Sequence, residues 1–190
     1  MVKEIFINNT KKSLLAGVLI GLGVIINLQA SNPALGALLF SFGLLTIINM
    51  GLPLYTGRIG FLKGNLFEII FWNFIGIALV VGLYAKSNPD FSNLLAAAAA
   101  SKFSKSLFTL TMNGVFCGAL IHLAVKNKTT ILTIFAVMIF ILIGAEHCVA
   151  DYPYFLALPS ISNAVKLGGV ILGNSIGAIL VERLSEVGNE

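Results

Sequence analysis

Gly144-Ala145-Glu146-His147-Cys148-Val149-Ala150-Asp151 lies at the end of an apolar run that begins near Ile131. A helix-breaking glycine and three ionisable side chains stand where the rest of the run reads as a membrane span. An earlier apolar run carries a comparable interruption, Gly51-Leu52-Pro53, followed by Leu54-Tyr55-Thr56-Gly57. Backbone N–H and C=O groups freed by a break have no partners in lipid, so each break must line a protein cavity or a watery path. These two stretches predict a bundle of membrane helices in which the second and fifth are interrupted.

Composition places the chain in the bilayer. Hydrophobic residues make up 57% and charged residues 11%, against about 25% charge in a soluble domain. One soluble core of this size could not hide so much apolar surface, whereas lipid covers it from outside. The 19 glycines suit close helix–helix approach. A net charge of +4 is no nucleic-acid signal, because the 12 Lys and Arg are scattered between apolar runs. Cys117 and Cys148 both fall within apolar segments and read as free packing residues. The first apolar run, from Leu14, leads into further spans without a convincing processing site, so no cleavable signal is expected.

Six spans follow, at about 12–29, 35–56, 65–85, 104–126, 130–150 and 163–184, in a single transmembrane domain over 1–190. With the N-terminus inside, the cytoplasmic side holds Lys3, Lys11, Lys12, Arg58, Lys63, Lys126, Lys128 and Arg183. The outer side then holds Lys86, Lys102, Lys105 and Lys166. This bias predicts cytoplasmic N- and C-termini.

The two halves resemble each other. Gly17-Val18-Leu19-Ile20-Gly21 matches Gly114-Val115-Phe116-Cys117-Gly118, an offset of 97 residues, and Asn73-Phe74-Ile75-Gly76 matches Asn174-Ser175-Ile176-Gly177, an offset of 101. Three spans per half make this a 3+3 inverted repeat, which pairs the two interrupted spans and points to a transport site between them. Gly51, Pro53, Gly144 and Glu146 mark the interruptions.

His147 is the leading chemical candidate, since an ionisable group at membrane depth is costly and imidazole exchanges protons near neutral pH. A neutral histidine tying two helices together reads equally well. Thr56 is either a donor beside the break or a turn threonine, and Lys102 either a functional cation or a solvated loop lysine. Glu146 is expected to bond to backbone at the interruption, and His122 to be an interfacial side chain. No phosphate loop, metal-ligand spacing or nucleophile–base pair is present, so neither an enzyme, a cofactor nor a metal is expected.

In order and spacing, Leu39-Phe40-Ser41-Phe42-Gly43-Leu44, Asn73-Phe74-Ile75-Gly76, Gly144-Ala145-Glu146-His147-Cys148-Val149-Ala150 and Leu172-Gly173-Asn174-Ser175-Ile176-Gly177 resemble the formate/nitrite transporter family. The resemblance runs from about Leu14 to Leu184. It implies an aquaporin-like all-α fold, assembled as a homopentamer in the cell membrane with one pore per protomer. It places the family's central histidine on His147, its loop threonine on Thr56 and its vestibule lysine on Lys102. The apolar constrictions fall on Phe40, Leu44, Tyr55 and Phe140. Asp151 stands where the family usually has Asn. Gly118 replaces a family asparagine and is expected to widen the pore, and a longer N-terminal segment of some members is lacking.

The implied function is passage of a small monovalent anion or its weak acid, of the formate, nitrite or hydrosulfide class. Lys102 would concentrate the anion, and the His147–Thr56 region would supply a proton or a strong hydrogen bond at the constriction. A neutral-solute or water pore is the alternative.

Overall fold

Long runs of Leu, Ile, Val and Ala with few charges favour helix wherever water is excluded. The computed structural model describes residues 2–186, with side chains from 9 to 186; Lys3, counted in the charge bias, lies outside the described side chains. Four helices are long and apolar enough to cross a membrane: α1 (Val2–Gln29), α4 (Leu66–Ser87), α6 (Leu107–Asn127) and α9 (Ile161–Glu186). Two shorter apolar helices, α2 (Pro33–Asn49) and α7 (Thr130–Leu142), lead into the breaks. Short α3 (Tyr55–Arg58) and α8 (Cys148–Ala157) follow those breaks, and α5 (Pro89–Ser104) connects α4 to α6.

The long helices pair as α1 on α4 and α6 on α9. Glycine sets how closely they approach. A Cβ on Gly17 would meet the Asn73 backbone, and one on Gly118 the Asn174 backbone. A Cβ on Gly76 would meet backbone at Leu14 and Val18, and one on Gly177 backbone at Val115 and Ala119. These contacts match Gly17 with Gly118 and Gly76 with Gly177, both 101 residues apart. The 97-residue pairing of Gly17 with Gly114 is therefore one helical turn out of register. Gly118 also does not widen a pore, because its missing side chain is filled by α9.

The helices before both breaks end in the same chain turn. Gly51 and Gly144 take positive φ, 63° and 71°. Leu52 N–H donates to Ile47 O (2.9 Å) and Gly51 N–H to Ile48 O (3.1 Å). Ala145 N–H donates to Phe140 O (2.8 Å) and Gly144 N–H to Ile141 O (3.1 Å). A left-handed glycine of this kind stops a helix while satisfying its last carbonyls.

One buried asparagine holds the chain beyond each turn. Asn73 Oδ1 accepts Tyr55 N–H (2.9 Å), and its Nδ2 donates to Pro53 O (3.1 Å) and Ser13 O (2.7 Å). Asn174 Oδ1 accepts Cys148 N–H (2.8 Å), and its Nδ2 donates to Glu146 O and Gly114 O (both 2.8 Å). Each amide thus replaces the water that the first helical N–H and the break carbonyl would otherwise need.

The fifth apolar run differs from its expected 130–150. Its first helix stops at Leu142 and a new one starts at Cys148, with Asp151 in the first turn of α8 and Pro153 inside it. The stretch before α6 is also helical. In α5, Phe91, Leu95, Ala99 and Phe103 recur every fourth position and are buried, and the helix packs on α8.

Candidate functional site

The two breaks meet at one hydrogen bond. His147, in extended conformation, caps α8: its Nδ1 accepts Ala150 N–H at 3.1 Å. A ring nitrogen that accepts must be unprotonated, which assigns the proton of the neutral ring to Nε2. Nε2 lies 2.9 Å from Thr56 Oγ1, so it donates to the hydroxyl, and the Thr56 proton is left to point elsewhere. Thr56 is fully buried and His147 nearly so. A proton added at Nδ1 would displace the capping N–H.

Aromatic and aliphatic side chains flank this pair. Phe40 and Phe140 meet edge to face, with ring centroids 5.8 Å apart, and the Phe140 ring lies 6.1 Å from that of His147. Gly23 on α1 makes room for the Phe40 ring, which a Cβ there would meet at 3.1 Å. Leu44 sits one turn along α2 from Phe40.

Two cavities lie close to the pair: one is lined by Leu54 and Gly57, on either side of Thr56 in sequence, and the other by His147 itself, while Thr56 lines neither. The Arg58 cavity, about 370 Å³, is lined by Leu44, Leu52 and Leu54 together with Arg58, Lys63, Lys126 and Lys128. The Lys102 cavity, about 140 Å³, is lined by Phe40, Phe140, His147, Lys102, Glu146 and Asp151 among others. Arg58, Lys63, Lys126 and Lys128, grouped on one side by the charge bias, therefore share one cavity wall, and Lys102 and Lys105 line the other.

Most expected site residues come together here: His147, Thr56, Phe40, Phe140, Leu44 and Lys102. Tyr55 goes elsewhere. Its hydroxyl lies 2.9 Å from Ser175 Oγ on α9, and it lines neither cavity; Leu54 lines the Arg58 cavity instead.

Lys102 is not a free cation. Its ammonium pairs with Glu146 Oε2 and with Asp151 Oδ1 (2.8 Å), and lies 4.9 Å from the Tyr154 ring centroid. Lys105 Nζ donates to the other Glu146 oxygen at 2.9 Å. The Glu146 side chain is thus held by two lysines rather than by backbone. Its own N–H and C=O join the break to Asn113 O (3.2 Å) and Asn174 Nδ2 (2.8 Å). These charge pairs span 41 to 49 residues, and sequence spacing carries no sign of them.

His122 is no interfacial side chain either. It is fully buried, bonds Glu182 Oε2 through Nε2 at 2.7 Å and packs under the Phe61 ring. Both cysteines are buried and free, and no cluster of metal-ligating side chains occurs among the described residues.

Known proteins share this architecture. A pentameric formate channel with formate bound superposes with a TM-score of 0.83 at 18% identity, covering 98% of both chains. An FNT family ion channel superposes with a TM-score of 0.81 at 20% identity, covering 95% of this chain and 89% of that one. These likenesses establish the fold. No curated protein sequence matches the chain. The formate/nitrite transporter family model matches residues 4–184, and the chain belongs to that family of membrane transporters.

Proposed function

We propose that this chain is a channel for small monovalent anions or their weak acids, of the formate, nitrite or hydrosulfide class, and that the path crosses each chain from the Arg58 cavity to the Lys102 cavity. The observation that carries the reading is the Thr56–His147 hydrogen bond, which joins His147, in the wall of the Lys102 cavity with Phe40 and Phe140, to the segment whose Leu54 and Gly57 line the Arg58 cavity with Leu44. A bare anion is expensive against such walls. Thr56, its hydroxyl polarised by Nε2–H of His147, offers the one strong donor at the neck. His147 serves as a hydrogen-bond donor through Thr56, and protons travel with the anion as its weak acid.

The architecture is a six-span 3+3 inverted repeat of aquaporin-like form over 1–190, in which α2–α3 and α7–α8 are the interrupted spans. Matching glycine turns, matching asparagine clamps and matching helix contacts support it. The pore-bearing chains assemble as a homopentamer in the cell membrane with both termini cytoplasmic, so the Arg58 cavity faces the cytoplasm. The pentameric neighbour and the excess of cations around that cavity support this arrangement.

Thr56→Val keeps the shape and removes the hydroxyl. Formate and nitrite flux into proteoliposomes is expected to fall about tenfold, the consequence of losing one net hydrogen bond of about 1–1.5 kcal/mol at the barrier. Unchanged flux would show that the neck does not lie on the path.

A further inference from the structure

Asp151 lies one turn into α8, with its carboxyl turned back toward α5. One oxygen pairs with Lys102; the other, Oδ2, is buried and has no partner among the described residues. The side chain is only 4% exposed, yet Asp151 lines the Lys102 cavity beside His147. A charged oxygen left without a donor in such a place is costly unless something that enters the cavity supplies one.

The charges around it are few. Lys102 and Lys105 come from α5 and its C-terminal end, Glu146 and His147 from the break, and Tyr154 from α8 itself. Cys117 on α6 and Cys148 on α8 are buried thiols nearby. Helix α4 brings no charge between Glu68 and Lys86, α1 brings Asn27, and Lys166 of α9 is spent on Phe103 O at 2.5 Å. Two lysines and two carboxylates sum to zero formal charge. An ammonium has three N–H donors; two from Lys102 go to carboxylates, and its remaining side faces the Tyr154 ring. Lys102 has little left to offer an anion.

We infer that Asp151 is a specificity-determining residue: it completes an electroneutral cluster with Lys102, Lys105 and Glu146 and presents Oδ2 as a free acceptor, so that the Lys102 cavity admits the protonated acid in preference to its anion. A neutral acid brings an O–H or S–H donor that fits Oδ2. Its anion brings only lone pairs and is repelled. The inference rests on the channel reading above and specifies which form of the cargo this side accepts.

The test uses radiolabelled formate influx into proteoliposomes of the full chain between about pH 5 and 8. In the wild type, influx follows formic acid and falls about tenfold per pH unit, as the protonated fraction of a carboxylic acid does above its titration range. Asp151→Asn leaves the cluster net positive. Its profile is expected to flatten, and KM for total formate at the alkaline end to fall about tenfold, the size of a local steering effect. Lys105→Gln, at the exposed edge of the cluster, leaves it net negative but keeps Oδ2, so influx should still follow formic acid with KM unchanged. An Asp151→Asn protein with the wild-type profile and KM overturns the inference. Should Asp151→Asn fail to assemble, Lys105→Gln decides: an unchanged KM supports the inference, and a raised KM, the mark of a bound anion, overturns it. No formate influx in the wild type would instead remove the channel reading.

Discussion

The wall of the Arg58 cavity combines four cations with apolar Leu44, Leu52 and Leu54, and it carries no carboxylate among the described residues. At the Lys102 cavity, two cations meet two carboxylates beside His147. The backbone frames are alike: each break begins at a left-handed glycine and is clamped by a buried asparagine. The two breaks therefore share one backbone frame, and the side chains around them differ. One cavity collects negative charge; the other is neutral and holds the acceptor. Such asymmetry changes the affinity at each face without setting the direction of net flux, which follows the gradients.

The comparison breaks most severely if its shared frame is removed. Asn174→Ala leaves Cys148 N–H, Glu146 O and Gly114 O without their partner. Each buried orphan costs about 1–3 kcal/mol, so the assembled protein in mild detergent should lose most of its thermal stability by scanning fluorimetry. Asn73→Ala should do the same through Tyr55 N–H, Pro53 O and Ser13 O. If one substitution is silent, the two clamps are not equivalent.

A smaller effect sharpens the charge difference. Arg58→Gln with Lys126→Gln removes two of the four cations around the larger cavity. KM for formate entering from that face is expected to rise by about tenfold at low salt, and the difference should shrink at high salt. A salt-independent change would mean that the cations act by holding structure, as Lys126 does with Glu182 at 2.9 Å.

The smallest effect concerns His122. Replacing it with Gln keeps a donor toward Glu182 and should leave formate KM unchanged, because His122 is buried between α6 and α9 and lines neither cavity. A large change would extend the functional site to the α6–α9 contact.

Much of this was legible in the sequence. The spans are visible because apolar runs must match the bilayer, and the breaks because Gly51, Pro53 and Gly144 cannot continue a helix without consequence. His147 and Thr56 flank those breaks and stand together in the fold, 2.9 Å apart. What escaped depends on contacts between distant segments. Helix α5 carries Lys102 back to Asp151 and Glu146, so a lysine before a span becomes the centre of an ion cluster. Gly118 faces α9 rather than the path, and only packing shows which side of a helix a glycine serves. Recurring small residues allowed a one-turn slip of the repeat on α6, which the paired glycine contacts correct. Asn73 and Asn174 stood in matching motifs, but their work as clamps shows only once the broken chain ends lie against them.

On the proposed function, the path through Thr56 and His147 passes small anions or their acids and not water. Stopped-flow light scattering on proteoliposomes tests it directly, with an inward formate or nitrite gradient in one arm and an impermeant osmolyte gradient in the other. Solute entry is expected well above that of protein-free vesicles and slowed by Thr56→Val, with water flow no faster than through lipid alone. Fast water flow with formate and nitrite entry at the level of protein-free vesicles would contradict it.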